Sequence, residues 1–188
     1  MDIFTAIDSR ASAITLTGPA PSREHLQRII SAGARAPDHG KLAPWHLVII
    51  EGAARSVLGQ AMVTALLTLE PAATVDQQAR ERDKALRAPC IIAVAARTLK
   101  QYKVPEIEQI LAAGAAAQNM FLAAHALGYG VMWKTGAAAY DASVKTTLGL
   151  HADDHLVAFL YLGTAAIAGV ARPPMVDDRV QWLDAPSS

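Results

Sequence analysis

The chain of 188 residues is 52% hydrophobic and only 18% charged, a composition that fits one globular domain with a sizeable core and excludes a disordered chain. Lysine plus arginine and aspartate plus glutamate each number 17, and this lack of a basic excess argues against a general nucleic-acid-binding protein. The apolar surplus also suggests that part of the surface is hidden in an oligomer.

The first part of the chain predicts two helices separated by a loop. In MDIFTAID, Ile3, Phe4 and Ile7 share one helical face, and SRASAITL then carries the chain into a loop. PSREHLQRIISAGA predicts a second helix with Ser22 as its N-cap. Pro37 fits the end of this helix because a residue before proline avoids the helical region.

Strands and helices alternate through the rest of the chain. Short apolar runs predict strands at residues 46–51, 90–96, 131–135 and 155–164. Helical patterns occupy residues 53–69, 75–87, 105–127 and 142–150. Because no internal repeat or linker is visible, residues 1–188 are expected to form a single α/β or α+β sandwich domain. The tail, residues 165–188, is too long for a frayed end and is a candidate to reach a partner subunit.

Nothing in the sequence predicts secretion or membrane insertion. The N-terminus lacks a basic start followed by an apolar block, so no signal peptide is expected. The most apolar segment, residues 110–133, contains Gln118, Asn119 and His125 among weakly lipophilic alanines and glycines, which favours a buried helix followed by a strand. The single cysteine, Cys90, fits an inert thiol in a buried strand, and a cytoplasmic protein is expected.

The sequence lacks the residue patterns that several common kinds of active site require. His39 and His46 have no Cys or Glu partner nearby, which disfavours a zinc site. No G-x-S-x-G motif supports a hydrolase, and GYGVMW matches neither a P-loop nor a dinucleotide-binding glycine motif. A phosphate would therefore need other donors, and Arg10 with Ser12 offers one cation and one hydroxyl at a helix end. Pro37 and Pro44 bound a loop that we call the proline-fenced loop. Together with Arg35 and this loop, Arg10 and Ser12 indicate a site for an anionic, planar ligand.

The order of these segments resembles a known family. Arg10-Ala11-Ser12 follows the first helix, the second helix closes in AGARAPDHGKLAPWHLVII, an alanine-rich helix contains Gln118-Asn119, and LGYGVMWKTGA and HLVAFLYLGT follow. This arrangement resembles the nitroreductase family of flavin mononucleotide (FMN)-dependent oxidoreductases, in its small YdjA-type branch of NAD(P)H nitroreductases. The resemblance spans roughly residues 1–165, and its most specific part is the RAPDH…PWH block at its distance from Arg-x-Ser.

The resemblance implies a fold, an assembly and a cofactor. The fold is an α+β nitroreductase-like sandwich with a central, mostly antiparallel sheet flanked by helices, and the assembly is an intertwined homodimer with FMN at the subunit interface. By position, FMN contacts are implied for Arg10, Ala11, Ser12, Arg35, His39, Trp133, Lys134 and Thr135. A nicotinamide-nucleotide contact is implied for Ala123, Ala124, His125, Ala126, Leu127 and Gly128, although a helix C-terminus carries the wrong dipole for phosphate.

Some positions depart from the family pattern. Ala11 removes one arginine of an Arg-Arg-Ser triplet, and Asp38-His39 stand where the broader family has Ser and Asn. Lys134 stands where the branch commonly has arginine, so a bidentate contact becomes a single point charge. These departures leave FMN binding expected and put the choice of substrate in doubt. Asp38 and Lys41 have no implied role.

The implied reaction depends on the cofactor, and no catalytic side chain, metal, nucleic acid or membrane partner is expected. FMN would take hydride from NADH or NADPH and reduce a nitroaromatic, quinone or similar small-molecule acceptor in a ping-pong cycle. A cation near the flavin would stabilise its reduced form, and the choice between Arg35 and Lys134 stays open. Two alternatives also stay open: a flavin-binding module without turnover, and the same fold used for flavin-dependent dehalogenation or flavin breakdown.

Overall fold

An antiparallel sheet forms the centre of the structure, a computed structural model that describes residues 1–176 and 179–183. Within those residues the strands are β1 Thr15–Thr17, β2 Trp45–Glu51, β3 Cys90–Ala96, β4 Gly130–Lys134 and β5 His155–Ile167. β5 pairs with β3 and β4, β3 also pairs with β2, and the C-terminal part of β5 pairs with β1. Each of these pairings is antiparallel, which confirms the sheet type that the resemblance implied.

Helices cover both faces of this sheet. They are α1 Ile3–Ser9, α2 Arg23–Gly33, α3 Ala54–Leu69, α4 Val75–Asp83, α5 Glu106–Ala126 and α6 Ala142–Thr147, with 3-10 turns at His39–Lys41, Lys84–Leu86 and Ala137–Tyr140. α3 and α6 pack on one face, with α4 against α3, while α2 and α5 pack on the other. The α+β sandwich is therefore confirmed.

Local sequence explains several of these elements. Ser22 caps α2 by accepting a hydrogen bond from the His25 N–H at 3.2 Å, as predicted. All residues of β3 are buried, because this inner strand has neighbours on both sides and helices on both faces. α5 follows the predicted alanine-rich segment and buries Ala113 and Met120 on its sheet side. In the described ranges, no helix combines the length and the apolar character that crossing a membrane requires.

Alternation along the strands divides the core into two layers. Met132, Phe159 and Tyr161 point towards α3 and α6, whereas Val131 and Leu160 point towards α2 and α5. Neighbouring residues of β4 therefore reach opposite faces of the sheet, which decides how the candidate site is divided.

The N-terminal loop is where the fold differs from the prediction. The segment SRASAITL contains the start of β1, and β5 continues to Ile167 instead of ending at residue 164. The two differences have one cause, since β1 and β5 supply each other's hydrogen bonds and Thr17 pairs with Thr164. A partner 147 residues away leaves no trace in a local sequence pattern.

The tail begins inside the sheet. Its first residues belong to β5, and the part at residues 168–176 and 179–183 forms no helix or strand. The prediction that the tail reaches a partner subunit also covers residues 177–178 and 184–188, which lie outside the described residues.

Glu106 joins the N-terminus of α5 to the sheet. Its Oε1 accepts hydrogen bonds from Lys100, from His155 Nε2 at 2.7 Å and from Thr98 Oγ1 at 2.9 Å. The bond from Lys100, followed by those from His155 and Thr98, lowers the pKa of this carboxyl from 4.5 to about 2. A carboxylate with a lowered pKa stabilises the fold above its ordinary pKa, and the contribution is lost as the pH falls towards the lowered value.

Replacing Glu106 with glutamine is expected to lower the melting temperature at pH 7. The gap between parent and variant should shrink as the pH falls from 4.5 towards 2, because the parent then loses the same ionised acceptor. Thermal unfolding followed by circular dichroism at several pH values measures both effects. Asp153→Asn, at an exposed position outside this cluster, serves as the control and should show no such gap. A pH-independent gap for Glu106→Gln would contradict the ionic role.

Candidate functional site

The segment after α1 lines a large groove, which we call the Arg10 groove. Arg10, Ala11 and Ser12 form one wall, and the tail residues 169–174, which include Arg172, form another. The groove has a volume of about 1130 Å³, and Asp8 also lies on its wall. Two arginines and a serine thus line one concave surface, and these residue types supply donors that suit a phosphate. Sequence reasoning missed Arg172, because nothing local distinguishes this arginine in the tail.

An aromatic ring holds Arg10 in place. Its Cζ lies 5.1 Å from the centroid of the Phe121 ring, and Phe121 is a buried residue of α5. A guanidinium above a ring face gains a cation–π attraction of about 0.5–2 kcal/mol. Among the described residues no carboxylate pairs with Arg10, so its N–H donors are available to an anionic ligand.

The proline-fenced loop is strained, and Asp38 braces it. Gly40, Lys41 and Ala43 have φ values of 81°, 54° and 46°, in the left-handed region that residues other than glycine rarely adopt. Asp38 Oδ2 accepts a hydrogen bond from the Ala43 N–H at 2.6 Å and so bridges the strained stretch. Asp38 therefore has a structural role. Strain of this kind persists only where the surroundings impose it, and it is common at functional sites.

His39 lies away from the Arg10 groove, at the other end of α5. His39 Nδ1 lies 2.5 Å from Glu108 Oε2 near the start of α5, so a carboxylate orients the ring. Arg35 follows the end of α2 and is exposed. From Glu108 to Phe121, which holds Arg10, α5 rises about 20 Å at about 1.5 Å per residue. His39 and Arg10 therefore do not converge within one protomer.

The Trp133-Lys134-Thr135 stretch is divided between the two faces of the sheet. Trp133 packs with the layer of α2 and α5, whereas Lys134 and Thr135 line a cavity on the opposite face. The alternation of side chains along β4 separates Trp133 from Lys134, whereas Thr135 follows the end of that strand. The structure therefore brings two of the three residues into one cavity.

That cavity, which we call the Tyr161 cavity, lies between β4, β5 and the helices α3 and α4. Its volume is about 370 Å³, within the usual range for small-molecule sites. Lys84, Arg87 and Tyr161 also line it, and Lys84 pairs with Glu81. Sequence reasoning missed these residues, because they belong to a charged helical segment and a buried strand that meet only in the fold. One feature of the sequence could have indicated them: residues 75–87, the most charged segment of the chain, lead directly into the buried strand β3.

Tyr161 is the most enclosed polar residue of this cavity. Its side chain is only 3% exposed, and burial raises the pKa of its hydroxyl to about 12. Arg87 opposes this rise and Glu81 adds to it, so both charges act on the phenol. At neutral pH the hydroxyl is therefore protonated and serves as a hydrogen-bond donor.

The C-terminal end of α5 carries a serine–histidine contact. Ser9 Oγ donates its proton to the Thr5 carbonyl at 2.6 Å and lies 2.9 Å from His125 Nε2, so it accepts the hydrogen bond from the imidazole. Ser9 is therefore not an activated nucleophile. Within the implied nicotinamide stretch, residues 123–128, Ala124 is fully buried, whereas His125 and Gly128 line a recess of about 340 Å³.

Metal and thiol chemistry gain no support. Within residues 1–176 and 179–183, no group of three or more His, Cys, Asp and Glu side chains is placed to hold a metal ion. Cys90 is buried in β3, and burial raises the pKa of its thiol to about 12. It stays protonated at neutral pH, as expected for an inert core thiol.

Comparison with known sequences identifies close relatives. The sequence model of the nitroreductase family matches residues 7–164. The Escherichia coli K12 protein named "Putative NAD(P)H nitroreductase YdjA" is 40% identical over 166 residues, which are 87% of this chain and 88% of that protein. A Haemophilus influenzae protein named "Putative NAD(P)H nitroreductase" is 34% identical over 165 residues, covering 87% of this chain and 89% of its own.

Solved structures share the fold over nearly the whole chain. A nitroreductase-like protein from Bacillus cereus superposes with a TM-score of 0.82 at 25% identity, covering 98% of this chain and 97% of the other. A Desulfovibrio desulfuricans protein, described as a "putative nitroreductase in complex with FMN", superposes with a TM-score of 0.73 at 26% identity, covering 97% of each chain.

Proposed function

The chain belongs to the nitroreductase family, and from this premise we propose that it is an FMN-dependent oxidoreductase. It takes hydride from NADH or NADPH and reduces nitroaromatic, quinone or similar small-molecule acceptors by a ping-pong mechanism. The names of the Escherichia coli and Haemophilus influenzae relatives support the hydride donor, and the FMN in the Desulfovibrio desulfuricans structure supports the cofactor.

The Arg10 groove is the observation that carries this proposal. FMN ends in a phosphate dianion, and the groove offers the guanidinium groups of Arg10 and Arg172 with the Ser12 hydroxyl. Phe121 orients Arg10 from behind, which leaves its donors free for the phosphate. The donor set therefore fits the cofactor's anionic end, and Arg10, Ser12 and Arg172 are the residues we assign to it.

The distance between the two ends of α5 supports a homodimer with FMN at its interface. His39 lies beside Glu108, about 20 Å along this helix from the Arg10 groove by the helical rise. We assign His39 and Arg35 to FMN bound in the groove of the other subunit, and this separation supports the assignment of His39. In this arrangement Glu108 holds the His39 ring, and Asp38 holds the loop that presents it.

The surface of α1 also supports the homodimer. Ile3, Phe4 and Ile7 share the face predicted from the sequence, yet they are 58%, 74% and 51% exposed. An apolar helix face left uncovered by its own chain is typical of an interface between subunits. Further along, Val170 and Trp182 of the tail are also strongly exposed, which supports its docking on the partner subunit.

The protein's share of the reaction is binding and electrostatics. When bound, FMN supplies the hydride and electron transfer. Lys134 on the wall of the Tyr161 cavity and Arg35 from the partner subunit provide positive charge for the reduced ring. His125 and Gly128, with the neighbouring residues of the 123–128 stretch, are assigned to the nicotinamide nucleotide. No nucleophile is needed, and the inert Cys90 fits the reducing cytoplasm in which we place the protein.

Reduction of bound flavin by nicotinamide nucleotides tests the proposal. The protein purified after addition of FMN is expected to be yellow, and NADH or NADPH should bleach the flavin absorbance in the absence of oxygen. A nitroaromatic or quinone added afterwards should restore the absorbance. Free FMN at the same concentration is the control and should bleach far more slowly.

Each failure has a distinct meaning. If no FMN is retained, the proposed function is wrong. If FMN is retained but neither nucleotide bleaches it, the protein is a flavin-binding module without turnover. If bleaching occurs but only a halogenated substrate or the flavin itself is consumed, the fold serves dehalogenation or flavin breakdown.

A further inference from the structure

The proposed reaction consumes a proton that its hydride does not supply. A hydride carries two electrons and one proton, so a quinone that accepts it is left with one negatively charged oxygen. Formation of the neutral hydroquinone takes one further proton, and so does the reduction of a nitro group to a nitroso group with release of water. Histidine is the side chain used most often for such a transfer near neutral pH.

One histidine has a carboxylate partner of its own. Of the six histidines, all of which lie in the described ranges, two have rings that contact a carboxylate, His39 and His155. His155 shares its partner, Glu106, with two further donors in the cluster that joins α5 to the sheet. His39 is the only side chain of the described residues that bonds to Glu108. His39 is also the histidine assigned to the cofactor above.

Glu108 determines which nitrogen of the His39 ring is available to another molecule. Nδ1 lies 2.5 Å from Glu108 Oε2, so the Nδ1–H group donates to the carboxylate. Nε2 has no partner within the part of the chain that the structure describes, and the side chain is 64% exposed. A carboxylate on one ring nitrogen and an unoccupied second nitrogen is the arrangement that acid–base catalysts use, because the carboxylate orients the ring while the other nitrogen exchanges a proton.

The proline-fenced loop holds this ring in position. A Cβ built on Gly40 would lie 2.9 Å from Val104 Cγ2, so the loop lies directly against the segment that precedes α5. Asp38 braces the other side through its bond to the Ala43 N–H. A ring held in this way is suited to proton transfer to a bound molecule, which requires a fixed donor geometry.

We propose that His39, oriented by Glu108, donates the proton that the electron acceptor takes up. This inference rests on the proposed function, in which His39 reaches the cofactor of the other subunit, and it adds a catalytic side chain where none was expected. As a quinone gains the hydride, the Nε2–H bond of the His39 imidazolium breaks and an O–H bond forms on the quinone. One hydride and one proton thus give the hydroquinone. The neutral imidazole regains a proton from water, and Nδ1–H stays on Glu108 throughout.

This role predicts a pH dependence for the reaction with the acceptor. α5 packs against the turn that carries His39 and presents Glu108 to the ring, whereas Glu106 of the same helix bonds elsewhere. On the loop itself, Asp38 and Lys41 carry opposite charges. Transfer to a quinone should be fastest where the imidazolium is populated and should slow as the pH rises and the ring loses its proton.

The test compares His39→Gln with the parent using two acceptors. p-Benzoquinone takes up a hydride and a proton, whereas ferricyanide takes up electrons without a proton. When the FMN-loaded protein is reduced with one equivalent of NADH and mixed with benzoquinone in a stopped-flow instrument, His39→Gln should react about 100-fold more slowly, without the pH dependence of the parent. Its reaction with ferricyanide should keep the parent rate. His151→Gln removes an exposed histidine and should match the parent with both acceptors.

Two measurements without turnover separate proton donation from cofactor binding. Because glutamine keeps a side-chain donor, His39→Gln should bind FMN within about threefold of the parent in a fluorescence titration. Nitrogen-15 NMR of the apoprotein should show the proton of the neutral His39 ring on Nδ1, and Glu108→Gln should weaken that preference. Glu108→Gln should also slow the benzoquinone reaction and leave the ferricyanide reaction unchanged. Glu24→Gln, at an exposed position in α2, is its control.

Three results overturn the proposal while the proposed function stands. They are a parent-like benzoquinone rate for His39→Gln at every pH, an equal loss with both acceptors, and a neutral His39 ring without a proton on Nδ1. An equal loss together with weaker FMN binding would show that His39 serves the cofactor alone. If the parent itself retains no FMN, the proposed function and this inference both fail.

Discussion

Replacing Arg10 with alanine is expected to weaken FMN binding by about 10- to 100-fold. The substitution removes a guanidinium from the Arg10 groove, and a hydrogen bond to a charged group contributes about 1.5–3 kcal/mol. Titration of the apoprotein with FMN, followed by flavin fluorescence, measures the loss. The ratio of flavin to protein after dialysis provides a second measure.

Two control variants separate charge, geometry and stability in this experiment. Arg10→Lys keeps the positive charge but loses the planar fork, so its affinity should lie between those of the parent and of Arg10→Ala. Arg23→Ala removes an exposed arginine at the start of α2 and should bind FMN like the parent. Loss of the Phe121 contact makes a melting curve necessary for each variant. If dialysed Arg10→Ala remains as yellow as the parent, the phosphate-binding role is wrong.

Replacing Gly169 with alanine is expected to disrupt the same groove from its opposite wall. A Cβ built on Gly169 lies 2.0 Å from the Ser12 carbonyl oxygen and 3.1 Å from the Ala11 Cβ. The nearest atom belongs to the backbone, so the tail and the segment around Ser12 have to move apart. We expect FMN affinity to fall by about tenfold or more, because the charge-assisted contacts of about 1.5–3 kcal/mol depend on this geometry. Overpacking should also lower the stability by about 1–3 kcal/mol.

Gly114→Ala is the matched control for this substitution. Its Cβ would meet only Val157 Cγ1, at 3.9 Å, and the residue lies inside α5, where alanine is favoured over glycine by about 0.5–1 kcal/mol. This variant should bind FMN like the parent and melt at the same or a higher temperature. Parent-like FMN affinity in Gly169→Ala would show that the start of the tail is not a wall of the cofactor site.

The fold was largely predictable, because most of its elements carry their own local signals. The N-cap at Ser22, the continuous apolar run of β3 and the alanine-rich pattern of α5 each specify an element from a few adjacent residues. β1 and the extension of β5 were not predictable in this way. Each of them is a strand only because the other supplies its hydrogen bonds.

The candidate site was predictable only where its residues adjoin in the chain. Arg10 and Ser12 adjoin, and the resemblance marks them together. Arg172 joins them because the tail passes the Arg10 groove, and Gly169 permits that close approach. For α1 the sequence predicts which residues form the apolar face. It does not predict that this face is left exposed by the rest of the chain.

By itself the sequence predicted alternating strands and helices, with an arginine and a serine placed after the first helix, and its resemblance to the nitroreductase family implied the α+β fold. The elements follow from local periodicity, and the resemblance from the order of short segments, which the chain carries directly. Only the tertiary structure decided which side chains share a space. It separated Trp133 from Lys134 through strand alternation, and it joined Arg87 to Tyr161 across the packed layers. The physical reason is that burial and proximity arise from contacts between distant segments, which no local pattern records.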